Sequence, residues 1–423
     1  MDNTDKKKLN ILFHSFGTVN HALIRNFKKS PLLNKIYVMG HNANPIEMVE
    51  NLGSTKELSI GDLKRIIKEK EIDFSICFHE LYTIRGLIDF YHNELKIPIF
   101  GCPQKWFYLE YSKQICKDFM NLHNIKTPKY LNIFDKDDIK VAIKNFGLPL
   151  VIKNNFLEGG FGSHICKTER ECKEQVKKLL KKYDTCIAEK YVEGKEITQQ
   201  YIWDKNKLIP FKPVKDFKKA KIGKEYINTG GLASYTPVAL TEKEQEELTK
   251  YNTRLNEIFT TVKPEFIGIF CVNLMFVQDE LYTLEFNMRP GITEFESTIE
   301  NLDCDLLEIF YKATRKELNE EDIKYKNGKT GCVAIAHKDY IKQKKGTHTA
   351  KINTEKLLEN RTNIIKNLNF GGIIDKKTAK ISKNHRFIHF VSTDKNDPFE
   401  EIYKHIEEIR NKDFMYINRE EIK

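Results

Sequence analysis

Over roughly the first hundred positions, short apolar runs alternate with stretches in which apolar residues recur every three or four positions. The short runs are ILFHSFG, KIYVMG, DFSICF and IPIFG, and helical patterns fall over Val19 to Phe27 and near Leu63 to Lys70. This alternation predicts parallel βαβ units, because parallel neighbours need a crossover between them. Strand, Gly17 and helix together look like the opening of a Rossmann-like domain, where helix amides face an anion. A plain strand-to-helix turn is an equal reading, since one glycine stands where a dinucleotide fingerprint has three.

The character changes from Tyr111. A helix over Lys113 to His123 is followed by the strand GLPLVIKNN, a glycine-rich turn at Gly159 to Gly162, and a second strand, SHICKT. An amphipathic helix over Glu171 to Lys182 and the strands CIAEKYV and EITQQYIW come next. After a loop and a charged helix starting near Thr241, FIGIFCVNLMFV and LYTLEFNM form the arms of a hairpin turning at Gln278 to Glu280. From about Lys326 a basic segment leads into GCVAIAH, FGGIID and RFIHFVS and a last helix near Pro398 to Arg410. The expectation is a multidomain α/β and α+β chain divided as 1–108, 109–325 and 326–423.

Composition narrows the class. With 423 residues, 40% hydrophobic and 31% charged, the chain is long enough for more than one core and too apolar to stay disordered. The excess of 70 basic over 60 acidic side chains is spread out. Lys178, Lys181 and Lys182 are interleaved with leucines, and Lys342, Lys344 and Lys345 form a short isolated run, so no nucleic-acid partner is expected. Nine cysteines without a C-x-x-C pair read as reduced core thiols. The opening MDNTDKKK precedes no long apolar segment, so neither a signal peptide nor a membrane partner is expected, and the predicted location is cytoplasmic.

Three strings carry chemistry. Lys153 ends an apolar strand six residues before Gly159 of EGGFG, so a hairpin would hold its ammonium beside a loop whose amides can approach phosphate oxygens. In AEKYVEGKE, Glu189 and Glu196 flank a glycine-containing turn and can read an adenine edge and ribose hydroxyls. In LEFNMRPG, period-two geometry puts Glu285 and Asn287 on one strand face and Phe286 on the other, toward a core. Two aligned oxygen donors suit Mg²⁺, and Arg289 on the same face suits a phosphate or carboxylate. Each string alone also has an ordinary reading: an exposed hairpin lysine, surface acids at a strand end, a polar strand face.

Their order and spacing resemble the ATP-grasp superfamily. Nearly the whole chain resembles the phosphoribosylamine-glycine ligase (glycinamide ribonucleotide synthetase) family through SKQICKDFMNLHNIKTPKY, PLVIKNNFLEGGFG, AEKYVEGKE, the stretch from KDFKK to INTGGLASYTP, and LEFNMRPG. The resemblance implies a Rossmann-like pre-ATP-grasp domain, an ATP-grasp body and a small C-terminal domain. It also implies an ATP-dependent carboxylate-amine ligase of purine biosynthesis working with Mg²⁺ or Mn²⁺ as a monomer or homodimer.

By that likeness Lys113 and Lys153 contact ATP phosphates, and the loop with Gly159, Gly160 and Gly162 closes over them. Glu189, Lys190 and Val192 line the adenine hinge, Glu196 takes the ribose, and Glu285 and Asn287 bind metal. Lys153 and Arg289 are the expected catalytic residues, and Asp216, Lys218, Asn228, Thr229 and Gly230, with Gly17 and His21, face the small-molecule carboxylate and amine. Departures cluster at the substrate end: HSFGTVNHAL lacks the family's loop arginine, and Gly291-Ile-Thr-Glu294 replaces Gly-Asp-Pro-Glu. Two other readings stay open, a ligase of this architecture acting on a different acid and amine, and a nucleotide-binding regulator without catalysis.

Overall fold

The computed structural model describes residues 7–40, 49–53, 59–157, 162–222, 225–342, 346–351, 364–368, 378–383, 385–409 and 412–422. Its first hundred residues run β1 (Leu9–Phe13), α1 (Thr18–Phe27), β2 (Leu33–Val38), β3 (Glu50–Asn51), α2 (Ile60–Glu69), β4 (Phe74–Ile76), α3 (Glu80–Ile84), α4 (Leu87–Phe90) and β5 (Ile99–Phe100). The strands form a parallel sheet in the order β3-β2-β1-β4-β5, as the alternation predicts. All five residues of β1 are buried, and apart from Asn10 they are apolar, as in a strand covered on both faces. One face carries Leu12, Met39, Leu63 and Tyr91. The other carries Ile11, Phe13 and Phe27, which pack on Phe310 from far along the chain.

Next come α5 (Gln104–Tyr111), α6 (Lys113–Leu122), β6 (Tyr130–Ile133), α7 (Asp138–Phe146), β7 (Leu150–Asn154), β8 (Ser163–Cys166), α8 (Glu169–Leu180) and β9 (Cys186–Lys190). The antiparallel sheet β6-β9-β7-β8 is backed by α7 and α8, whose Ile139, Ala142, Cys172 and Val176 meet Leu150 and Ile152. The chain then crosses at Gly194 into a second antiparallel sheet. A Cβ on Gly194 would stand 1.8 Å from the Phe276 carbonyl oxygen, so only glycine allows this crossing.

The second part contains β10 (Lys195–Trp203), β11 (Leu208–Pro210), β12 (Lys215–Ile222), β13 (Glu225–Thr236), α9 (Glu242–Val262), β14 (Gly268–Val277), β15 (Glu280–Asn287), α10 (Thr293–Asn301) and α11 (Leu306–Thr314). Its sheet runs β11-β10-β14-β15. The expected hairpin is β14–β15, and Gln278 and Asp279 at its turn have φ of 50° and 67°, the backbone of a tight two-residue reversal. Thr241 and Glu244 close a reciprocal cap at the start of α9.

Where the sequence suggests a loop before α9, the structure has the long pair β12–β13. These strands continue into β16 (Lys329–His337), then β20 (Arg386–Asp394) and β18 (Ile365–Leu368), with β21 (Phe414–Met415) on β16. β17 (Thr347–Lys351) and β19 (Thr378–Ser382) form a separate ribbon, and α12 (Glu400–Ile409) covers the sheet. FGGIID lies outside the described residues. No helix among the described residues is long and apolar enough to cross a membrane.

All nine residues of α10 are buried although most are polar. Most of their polar groups meet partners from neighbouring segments, although Glu300 Oε2 and Asn301 Oδ1 have no hydrogen-bond partner among the described residues. Glu296 Oε1 meets His389 Nδ1 at 2.9 Å, and Asn367 donates to Glu296 Oε2 at 2.6 Å. Glu300 accepts from Arg25 and, at 2.7 Å, from Asn26. Gln200 donates to Thr298 at 2.7 Å, and Asn301 to Thr330 at 3.0 Å.

Candidate functional site

The two antiparallel sheets and the β12–β13 pair enclose a cleft of about 1080 Å³. Lys153, at the end of β7, reaches it from one side. Its Nζ lies 2.7 Å from Glu189 Oε2, and Lys117 Nζ lies 3.2 Å from the other oxygen of the same carboxylate. Lys117 also donates to Thr127 at 2.6 Å. Burial opposes every charge here, but the lysines outweigh it at Glu189 and hold that carboxyl low. At Lys117 burial prevails and its pKa falls. Glu189 thus faces the cleft with both oxygens beside a lysine ammonium.

Glu285 comes from the opposite sheet. The ladder pairs Asn273 with Glu285 and Leu274 with Thr283, so Leu284 is an extra residue in β15. This bulge brings both Leu284 and Glu285 to the cleft wall, while Phe286 stays in the core. Asn273 donates to Glu285 Oε1 at 2.8 Å and accepts from Thr198 at 3.1 Å. Burial alone would raise the Glu285 carboxyl. The ammonium groups of Lys113, Lys218 and Lys153 and the Asn273 amide reverse this and hold it at about 2. Three cations around one carboxylate are arranged to share anions larger than Glu285.

The third wall is irregular. Phe217 pairs with Ala233 and Lys219 with Asn228, so the four residues from Thr229 to Leu232 stand opposite Lys218 alone. Thr229 donates to the Lys218 carbonyl at 2.7 Å, and Arg386 donates to the carbonyls of Gly230 and Gly231, the latter at 2.6 Å. Lys218 Nζ lies 2.8 Å from Glu196 and 3.6 Å from Asp216. Neither carboxylate oxygen of Asp216 has a hydrogen-bond partner among the described residues, and burial, with Glu294 nearby, pushes this carboxyl well up.

Of the residues singled out from sequence, Lys113, Lys153, Gly162, Glu189, Lys190, Val192 and Glu196 line this one cleft. Asp216, Lys218, Asn228, Thr229, Gly230, Glu285, Asn287 and Arg289 line it too. Gly159 and Gly160 lie outside the described residues.

Three of the residues named from sequence are placed differently from the rest. Gly17 and His21 do not line the cleft, because α1 packs against α10 and α11; the His21 ring sits 5.9 Å from Phe16 and burial lowers its pKa to about 4. Arg289 is not held open for a ligand. Its Nε lies 2.8 Å from Glu80 and 3.1 Å from Glu110, a buried carboxyl that also accepts from the Met288 amide at 2.8 Å.

Sequence reasoning missed Lys117, Glu80, Glu110 and Arg386. Lys117 was within reach, since it follows Lys113 by one helical turn and shares its face. Nothing local marks the other three, which arrive from distant elements.

Glu285 and Asn287 offer hard oxygen donors from one strand face, the chemistry a magnesium ion requires. A parallel α/β domain followed by two antiparallel sheets that clasp a lysine-lined cleft defines an ATP-grasp ligase, a class that binds ATP with Mg²⁺. Residues 9–110 match the N domain of phosphoribosylglycinamide synthetase and residues 111–295 its ATP-grasp (A) domain. The chain belongs to that family.

The phosphoribosylamine–glycine ligase of Fusobacterium nucleatum is 27% identical over 420 residues, covering 96% of this chain and 97% of the relative. That of Clostridium acetobutylicum is 28% identical over 350 residues, 79% of this chain and 82% of the relative. Among solved structures, the Thermotoga maritima phosphoribosylamine–glycine ligase superposes with a TM-score of 0.77 at 19% identity, covering 97% and 99% of the two chains. The biotin carboxylase domain of Hydrogenobacter thermophilus 2-oxoglutarate carboxylase, solved with MgADP and bicarbonate, superposes with a TM-score of 0.72 at 16% identity over 97% and 92%. These two structures share the fold.

Proposed function

We propose that this chain activates glycine with ATP and joins it to phosphoribosylamine, as its relatives' names describe, through an acyl phosphate. The observation that carries this reading is the convergence of Lys113, Lys153 and Lys218 on Glu285 within one cleft. A carboxylate oxygen attacks the γ-phosphorus in line and ADP departs; the amine nitrogen then attacks the acyl carbon and phosphate departs, leaving an amide. The three lysines spread the charge that develops on the phosphoryl oxygens.

Glu285 and Asn287 would hold magnesium, which when bound would add to the neutralisation of phosphate charge. Glu189 keeps Lys153 charged and fixed in direction. Asp216, with Glu294 beside it, offers carboxyl oxygens to the incoming amine. No covalent enzyme intermediate is required.

The test is incubation with ATP, Mg²⁺, glycine and freshly made phosphoribosylamine, followed by product mass and ADP release. An amide product of the two substrates with one ADP per amide supports the proposal. ATP binding without ADP formation, across a panel of acids and amines, would leave a nucleotide-binding regulator instead.

One observation favours a second reading, a ligase of the same architecture with a different amine. The basic residue of α1, Arg25, sits in the last turn and is committed to Glu300 and to Asn367, and the loop before α1 is not among the residues lining the cleft. A different amine giving the faster ADP release in the same panel would select this reading.

A further inference from the structure

We propose that the C-terminal part of the chain holds a structural divalent transition-metal site, of the zinc class, on His337, His348 and Asp413. One potential ligand atom from each of these three side chains falls within a single sphere, all within 4.8 Å of one another. They come from three separate segments: the end of β16, the ribbon strand β17, and the residue before β21. The His337 and His348 rings are tilted at 52° to one another with centroids 4.8 Å apart. His348 Nε2 lies 3.3 Å from Asp413 Oδ2. Bonds of about 2.0–2.1 Å to a tetrahedral zinc put neighbouring ligand atoms roughly 3.3 Å apart, so this spacing already suits a shared ion.

A second observation points the same way. His337 Nε2 is buried and has no hydrogen-bond partner among the described residues, in a side chain only 2% exposed. A buried ring nitrogen left unpaired costs about 1–3 kcal/mol unless a ligand meets it.

The surroundings supply an outer shell. Lys338 Nζ holds Asp413 Oδ1 at 2.5 Å, leaving Oδ2 turned toward the imidazoles. Nδ1 of His337 accepts from the Asp339 amide at 3.1 Å and has the Asp339 carboxylate 3.8 Å away. Metal on Nε2 moves the ring proton to Nδ1, where the Asp339 carboxylate becomes its acceptor and the amide contact is given up. Two imidazoles and one carboxylate are borderline-soft to hard donors, which favour zinc, cobalt or nickel over magnesium or calcium. Solvent supplies a fourth ligand, because His348 is 31% exposed.

The site would fasten the β17–β19 ribbon, which among the described residues shares no ladder with the large sheet, to β16 and to the strand before the C-terminus. Its closing contacts span residues 337 to 413, a long loop for which a cross-link is worth most.

The test uses the full chain without an affinity tag, stripped with a chelator, then given zinc chloride or cobalt chloride and passed through gel filtration. About one zinc per chain by atomic emission, a visible cobalt band of a four-coordinate site, and a zinc-dependent rise of about 3 °C or more in melting temperature are expected. His348→Ala and Asp413→Asn should lose all three while melting like the stripped wild type, and Glu285→Gln, altered in the cleft, should keep them. No retained zinc in the wild type, or equal retention in His348→Ala and Asp413→Asn, overturns the site.

Discussion

Lys153 enters the cleft already paired. Because Lys117 remains on Glu189 when Lys153 is removed, Lys153→Met is expected to cost less than the roughly 3 kcal/mol or more of an uncompensated buried charge. It should lower ADP release at least about 100-fold. Urea unfolding and a coupled ADP assay measure the two effects, and a variant with near wild-type turnover would remove Lys153 from the reaction.

Glu285 makes a pH prediction. Its carboxyl sits at about 2 against an ordinary 4.5, so its ionised form stabilises the fold above pH 4.5, and that contribution drains away as pH falls from 4.5 toward 2. Glu285→Gln should therefore be less stable than wild type at pH 6, by up to about 3 kcal/mol, and the gap should shrink below pH 4.5. A gap in urea midpoint that stays constant between pH 6 and 3.5 would contradict this origin. Lys153, Glu285 and Asn287 were legible in sequence because each interrupts a strand that is otherwise mostly apolar. Glu110 and Arg386 were not, because their roles depend on which distant chain segment folds beside them.

At the scale of elements, strands buried on both faces and the β14–β15 hairpin announced themselves through long apolar runs. The β12–β13 pair did not. Its Thr229–Leu232 excursion breaks the period of two, and glycines in a strand interior ordinarily argue against a strand. The glycines are there because of the excursion. Gly231 has φ of +84°, and a Cβ on it would stand 2.8 Å from Asp216 Oδ1. Gly231→Ala is thus expected to lose about 1–3 kcal/mol and to weaken the apparent affinity for the amine more than that for ATP. Equal changes in both KM values would argue against a wall that presents Asp216.

At the scale of the whole molecule, α10 is the keystone: a polar helix at the centre, contacted by α1, β13, β16 and β20. Amphipathic periodicity reveals such a helix poorly, since it has no solvent face and its apolar stripe is only Phe295 and Ile299. The Arg25–Glu300 pair joins it to the first domain, with Glu300 fully buried. Arg25→Ala leaves that carboxylate with Asn26 as its hydrogen-bond donor among the described residues and Lys29 as a more distant charge, and should cost about 3 kcal/mol. Arg25→Met combined with Glu300→Leu should recover most of the loss. Denaturant midpoints of the three variants decide the matter, and a double variant as unstable as Arg25→Ala would mean that α1 and α10 depend on something other than charge.

The nine cysteines are all free and, apart from half-buried Cys304, all buried. Burial pushes the Cys77 thiol up to about 12 and the Cys116 thiol to about 11, so neither offers an appreciable thiolate at neutral pH. The chain therefore carries its own gauge of opening. A chromogenic disulfide reagent should colour slowly with the native protein and count the remaining sulfurs as each domain loosens, and a nucleotide that clamps the cleft should delay that count at Cys116 and Cys271, which lie in its wall.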